Sequence, residues 1–105
     1  MITRIGLDLP QERIAEFCSR WKISELALFG SVLRDDFTPQ SDVDVLVTFD
    51  RSARVGLVAL SQMERELGVL LGRTVDLIPR DAVEHSDNAS RRRRILESAQ
   101  VVYAA

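Results

Sequence analysis

The sequence predicts an α/β (α+β) domain: a small sheet covered by helices on one face. Apolar residues recur at helical spacing over 10–21 and again over 55–71. Short runs rich in valine, leucine and isoleucine, at 26–29, 43–49 and 74–78, have strand length and turn-forming neighbours. Strands alternating with helices in this order bury one face of a small sheet beneath the helices.

Pro10 can open a helix, and Ile14, Phe17, Cys18 and Trp21 follow at i, i+3, i+4 and i+7, which gives a helix over about Pro10–Trp21. Leu26–Phe29 is a short buried strand. Gly30 ends it, because a sharp bend close to a ligand favours a residue without Cβ. Ser31 can cap a short helix through about Asp36, and Thr38–Ser41 is a turn. Val43–Phe49 is the second strand, with its odd-numbered apolar residues toward the core and Asp42 and Asp44 on the other face. After a loop over Asp50–Arg54, a helix runs over about Val55–Leu71. Its stripe is Leu57, Leu60, Met63, Leu67, Leu70 and Leu71, with Gly72 as C-cap. Thr74–Ile78 is a third strand closed by Pro79, Asp81–Ser90 is a polar loop, Arg91–Ala99 is a last helix, and Val101–Tyr103 is a final extended piece. Repeats, linkers and low-complexity tracts are absent from the sequence.

At 105 residues the expectation is one domain over 1–105. Apolar residues make up 46% and charged residues 29%, as in an ordinary soluble globular protein. A net charge of −2 gives no pull toward nucleic acid or anionic membrane, so no specific nucleic-acid partner is expected. Cys18 is alone, which excludes a disulfide framework or a cysteine zinc set, and its apolar neighbours mark it as buried. Neither a secretion signal nor an apolar run near the ~20 residues of a membrane span is present, and a cytoplasmic location follows as the expectation.

Asp42 and Asp44 carry the chemistry. Alternate residues of a strand share a face, so these carboxylates project together. Like charges side by side repel unless a cation holds them, and hard divalent cations prefer such oxygens. Gly30-Ser31, a turn leading into a helix, offers free backbone N–H groups to a phosphate. Asp76, between the core-facing Val75 and Leu77, is turned outward and supplies a third carboxylate. Phosphate cradle plus metal carboxylates indicates a magnesium–nucleotide site.

Gly30-Ser31, a ten-residue spacer and Asp42-Val43-Asp44 resemble the signature of the DNA polymerase beta-like nucleotidyltransferase superfamily. More narrowly, the run is similar to the minimal nucleotidyltransferase (MNT) family, often found as antitoxins beside HEPN-domain toxins. The resemblance implies the nucleotidyltransferase fold, a small mixed sheet with helices behind it and the site on the open face. It further implies two Mg2+ ions, roughly 4 Å apart, that activate an acceptor hydroxyl and escort the triphosphate of ATP. Asp42 and Asp44 would serve both ions and Asp76 the nucleophile-side ion. Arg34, three residues after Ser31, stands where the family carries an Arg within reach of the phosphates. Asp35 and Asp36 beside it depart from the family's small neighbours. Ser41 matches the family's Ser-Asp-x-Asp and fixes the turn or contacts phosphate.

The implied activity is transfer of AMP to a tyrosine of a HEPN-type toxin, with homo- or hetero-oligomeric assembly supplying the acceptor. The competing readings are an antitoxin that neutralises by binding alone and a small-molecule nucleotidyltransferase. The Arg91–Arg94 run is a solvated helix face or an interface for an acidic partner, and His85 is a surface residue. No Ser-His-Asp triad, Walker loop or Rossmann fingerprint is present.

Overall fold

Val43, Val45 and Val47, at alternate positions of one strand, make one of its faces wholly apolar, and each is no more than 1% exposed. The structure, a computed structural model, describes residues 9–30, 38 and 40–105. Its elements are α1 (Gln11–Arg20), β1 (Ile23–Phe29), β2 (Val43–Phe49), α2 (Leu57–Leu71), β3 (Val75–Pro79), α3 (Arg80–Glu84), α4 (Ala89–Ser98) and β4 (Gln100–Ala104). The strands form one sheet in the order β3-β2-β1-β4. β1 is antiparallel to β2 and β4, whereas β2 and β3 are parallel, so the sheet is mixed. A parallel pair needs a crossover between its strands, and α2 supplies it.

The main core lies between this sheet and the two long helices. Ile14, Phe17 and Cys18 of α1 and Met63 and Leu67 of α2 meet the valines of β2, with Val75 and Leu77 of β3 alongside. Gly72 ends α2 in the left-handed conformation (φ 68°) that favours glycine. Trp21, which follows α1, packs partly buried against the same core. Among the described residues, no helix is long and apolar enough to cross a membrane.

Four expectations need adjusting. β1 begins at Ile23 rather than Leu26, because the pairing with β2 reaches Ile23↔Phe49 through an irregularity at Ile23–Glu25. Leu57 is 83% exposed rather than part of the buried stripe. It lies six residues before Met63 and so about 120° round the helix from it. Asp81–Ser90 is not a continuous loop. Arg80–Glu84 form a helical turn around the buried Val83, and Asn88 caps α4 by accepting the Arg91 N–H at 3.0 Å, which starts that helix at Ala89. The final extended piece is a full edge strand, β4, paired with β1.

The expectation of helices on one face alone is also corrected: α3 and α4 cover part of the other face and give the sheet a second, smaller apolar layer. Val83 of α3 and Ile95 of α4 pack with Ala27, Phe29 and Leu46 on the face opposite the main core. Leu46, an even-numbered residue of β2, is therefore only 2% exposed. The helices leave the start of that face to the carboxylates.

Cys18 is fully buried, and desolvation pushes its thiol up to about 12. A raised pKa favours the neutral thiol in the folded state. The stability advantage of wild type over Cys18→Ala should therefore be constant below about pH 9 and shrink toward pH 12. Urea titrations across that range check the trend, and Leu67→Ala, which empties a fully buried site, should cost about 2–5 kcal/mol in the same assay.

Candidate active site

Asp44 stands at the meeting point of three strands. It pairs with Phe29 at the end of antiparallel β1 and with Asp76 of parallel β3. Neighbouring strands are about 4.8 Å apart, so Asp44 and Asp76 are level neighbours on one face. That is the face of Leu46 and Ile78, away from the main core. Asp76 is exposed, Asp44 is partly buried, and Asp42 is exposed immediately before β2.

Gly30 presses directly on this position. Its φ is +80°, and a Cβ there would overlap the Asp44 Oδ2 and lie 3.2 Å from its Cγ. Only glycine satisfies both the conformation and the space. The end of β1 is thus brought against the Asp44 carboxylate.

The turn before Asp42 is closed by side chains. Ser41 N–H donates to Thr38 O at 3.0 Å, and Ser41 Oγ accepts the Thr38 N–H at 3.0 Å. Ser41 thereby holds the turn, one of the two roles its place before Asp42 suggested. Arg73 Nη1 donates to Thr38 O at 2.8 Å and Ser41 O at 3.3 Å. On the far side of Asp76, Glu64 of α2 accepts the Leu77 N–H at 2.8 Å, which caps the edge of β3. Arg73 and Glu64 escaped the sequence reading, since neither belongs to a motif and each acts through a contact distant in sequence.

Ser31, Arg34 and the expected helix over Ser31–Asp36 lie outside the described residues. The Arg91–Arg94 run lies on α4, where Arg92 Nη1 donates to Ser86 O at 2.6 Å and Arg91, Arg93 and Arg94 are exposed. His85 is 77% exposed and bonded to Asp81 O, an interaction that, with the Asp81 carboxylate, raises its pKa. It is a surface residue.

Among the described residues, no three carboxylate, imidazole or thiol side chains form a converged metal cage. The donors nevertheless suit a hard cation. Carboxylates on neighbouring strands, Asp76 exposed and Asp44 partly buried, match Mg2+, which is bound through few protein ligands and keeps several waters. Gly30, in the left-handed conformation, packs directly against one of them, Asp44.

A family model described as the nucleotidyltransferase domain matches residues 11–102. The chain is 33% identical over 69 residues to the protein adenylyltransferase MntA of Thermococcus cleftensis, an alignment covering 66% of this chain and 68% of that protein. Its fold is similar to a crystal structure of a toxin–antitoxin with AMP-PNP, at a TM-score of 0.69 and 17% identity over 92% of this chain and 75% of that one. It is also similar to the complex of tri-AMPylated HEPN toxin with MNT antitoxin from Shewanella oneidensis. There the TM-score is 0.60 and the identity 16%, over 90% of this chain and 70% of that one.

Gly30→Ala should show how closely the turn approaches Asp44. Gly72 provides the reference, because its φ is +68° and a Cβ there meets nothing within 4 Å. Gly72→Ala should cost about 1 kcal/mol, the left-handed penalty alone. Gly30→Ala should cost at least about 1 kcal/mol more, from displacing the carboxylate. Equal losses in urea denaturation would show that the turn and Asp44 are not in contact.

Proposed function

Because the chain belongs to the nucleotidyltransferase domain family, we propose that it transfers AMP from MgATP to a hydroxyl on a partner protein. The partner of this reading is a HEPN-type toxin, its acceptor a tyrosine, and the chain its antitoxin, acting in the cytoplasm with residues 1–105 as one catalytic unit. The observation that carries the reading is the register Asp44↔Asp76 with Gly30 packed against Asp44. That register supports reading these aspartates as the family's metal-binding carboxylates, with Gly30 beside them as the start of the phosphate turn.

The support from relatives is of two kinds. A sequence relative is named a protein adenylyltransferase. Proteins of the same fold occur in toxin–antitoxin complexes, one with AMP-PNP and one with an AMPylated toxin.

The residues divide the work by position. Gly30, with Ser31 after it, receives the triphosphate, and Arg34 is placed by the motif to meet the same phosphates. Asp42 and Asp44 would hold both Mg2+ ions, and Asp76 would hold the ion on the acceptor side. When bound, these ions would neutralise charge on the triphosphate and make the acceptor hydroxyl more acidic. Ser41 keeps Asp42 in place through the turn. The acceptor oxygen forms its bond to the α-phosphorus, the α–β bridging P–O bond breaks, pyrophosphate departs, and the hydroxyl proton passes to solvent.

Catalysis differs from simple covering in stoichiometry. With MgATP and the chain at a small fraction of the partner's concentration, intact-mass spectrometry should show the partner gaining one or more AMP masses. Asp42→Asn and Asp44→Asn should abolish the gain while the protein stays folded, and Asp76→Asn should keep nucleotide binding but lose most turnover. An unchanged partner mass, with neutralisation only at a complex-forming ratio, would establish the binding-only antitoxin instead.

A further inference from the structure

Asp42 lies just outside β2, so the strand's own hydrogen bonds do not fix it. It directly follows the turn closed between Thr38 and Ser41. The turn's internal bonds set its shape, and the bond from Val43 N–H to Thr74 O ties the strand just after Asp42 to the start of β3. That leaves the turn itself to be held against β3, where Asp76 lies.

Arg73 closes that gap. Its Nη1 donates to both Thr38 O and Ser41 O, at the two ends of the turn, at 2.8 and 3.3 Å. Its backbone is anchored on either side. Arg73 N–H donates to Gly68 O at 3.0 Å at the end of α2, and Thr74 O accepts the Val43 N–H at 2.9 Å. The space there is tight, since a Cβ at Gly68 would lie 2.9 Å from Arg73 O. One guanidinium therefore ties the turn carrying Asp42 to the strand start that carries Asp76 three residues later.

We propose that Arg73 is a positioning residue for the divalent-cation site, setting the spacing between Asp42 and Asp76 by joining turn 38–41 to the start of β3. The proposal rests on the reading of Asp42, Asp44 and Asp76 as metal ligands. Arginine suits the role because its group is planar and permanently charged, and holds its hydrogen bonds in a fixed fork. Bonds from a charged donor to carbonyls are stronger than neutral ones. Groups that orient metal ligands from outside the ligand set typically change metal affinity by about 10–100-fold when removed.

The test is a Mn2+ titration followed by electron paramagnetic resonance, with and without AMP-PNP, on wild type, Arg73→Met and Arg73→Lys. Arg73→Met keeps the alkyl stem and should weaken Mn2+ binding about 10–100-fold. Arg73→Lys can reach one carbonyl and should recover part of the loss. In the transfer assay, Arg73→Met should lower kcat more than it raises KM for the acceptor.

A folded Arg73→Met protein with wild-type Mn2+ affinity overturns the assignment. So does a loss that only tracks loss of folded protein and is not rescued by lysine. Wild type that binds Mn2+ and AMP-PNP but transfers no AMP refutes the transfer reading and leaves the Arg73 assignment to stand on the titration. Wild type that binds no Mn2+ overturns both.

Discussion

Two carboxylates held level on neighbouring strands repel each other, and the architecture around β2 answers that repulsion. Asp44 and Asp76 cannot rotate away together, because the residues flanking each are locked into the core. Val43, Val45, Val75 and Leu77 are all buried on the opposite face. A slip of one residue in either strand would bury an aspartate and expose a branched side chain, which fixes the register strongly. The hydrophobic contacts of α1 and α2 thus act at a distance on the charges, through strand alternation.

The sheet's mixed pairing matters as much as its core. In open parallel sheets ligands usually bind beyond the carboxyl ends of the strands. Here the three aspartates stand at the amino ends of β2 and β3, and the glycine turn stands at the carboxyl end of β1. Only an antiparallel neighbour can bring a strand end beside two strand starts. The aspartates and the glycine that ends β1 therefore come from opposite chain directions and meet at one end of the sheet.

Most of this was legible because it rests on short-range pattern. The alternation Asp42-Val43-Asp44-Val45 states both the face and the strand, and Gly30 before it states the turn. Val75-Asp76-Leu77 repeats the same alternation. What escaped rests on contacts between distant residues. Val83 is a lone apolar residue in a polar run, and its burial depends on a sheet face formed by Ala27, Phe29 and Leu46. Leu57 fits a helical stripe by type, but its angular position leaves it in solvent. Arg73 and Glu64 look like ordinary surface charges until the fold sets one against the 38–41 turn and the other against the Leu77 amide.

The chain contains a single tryptophan, Trp21. It sits where α1 hands over to β1, at the end of the sheet where Ile23 faces Phe49. The site occupies the other end of β2, roughly 20 Å away at strand spacing. Intrinsic fluorescence will therefore follow the packing of α1 on the sheet while remaining nearly blind to what binds at the aspartates. The molecule carries a built-in optical gauge of its own folding that ligand occupancy does not confuse.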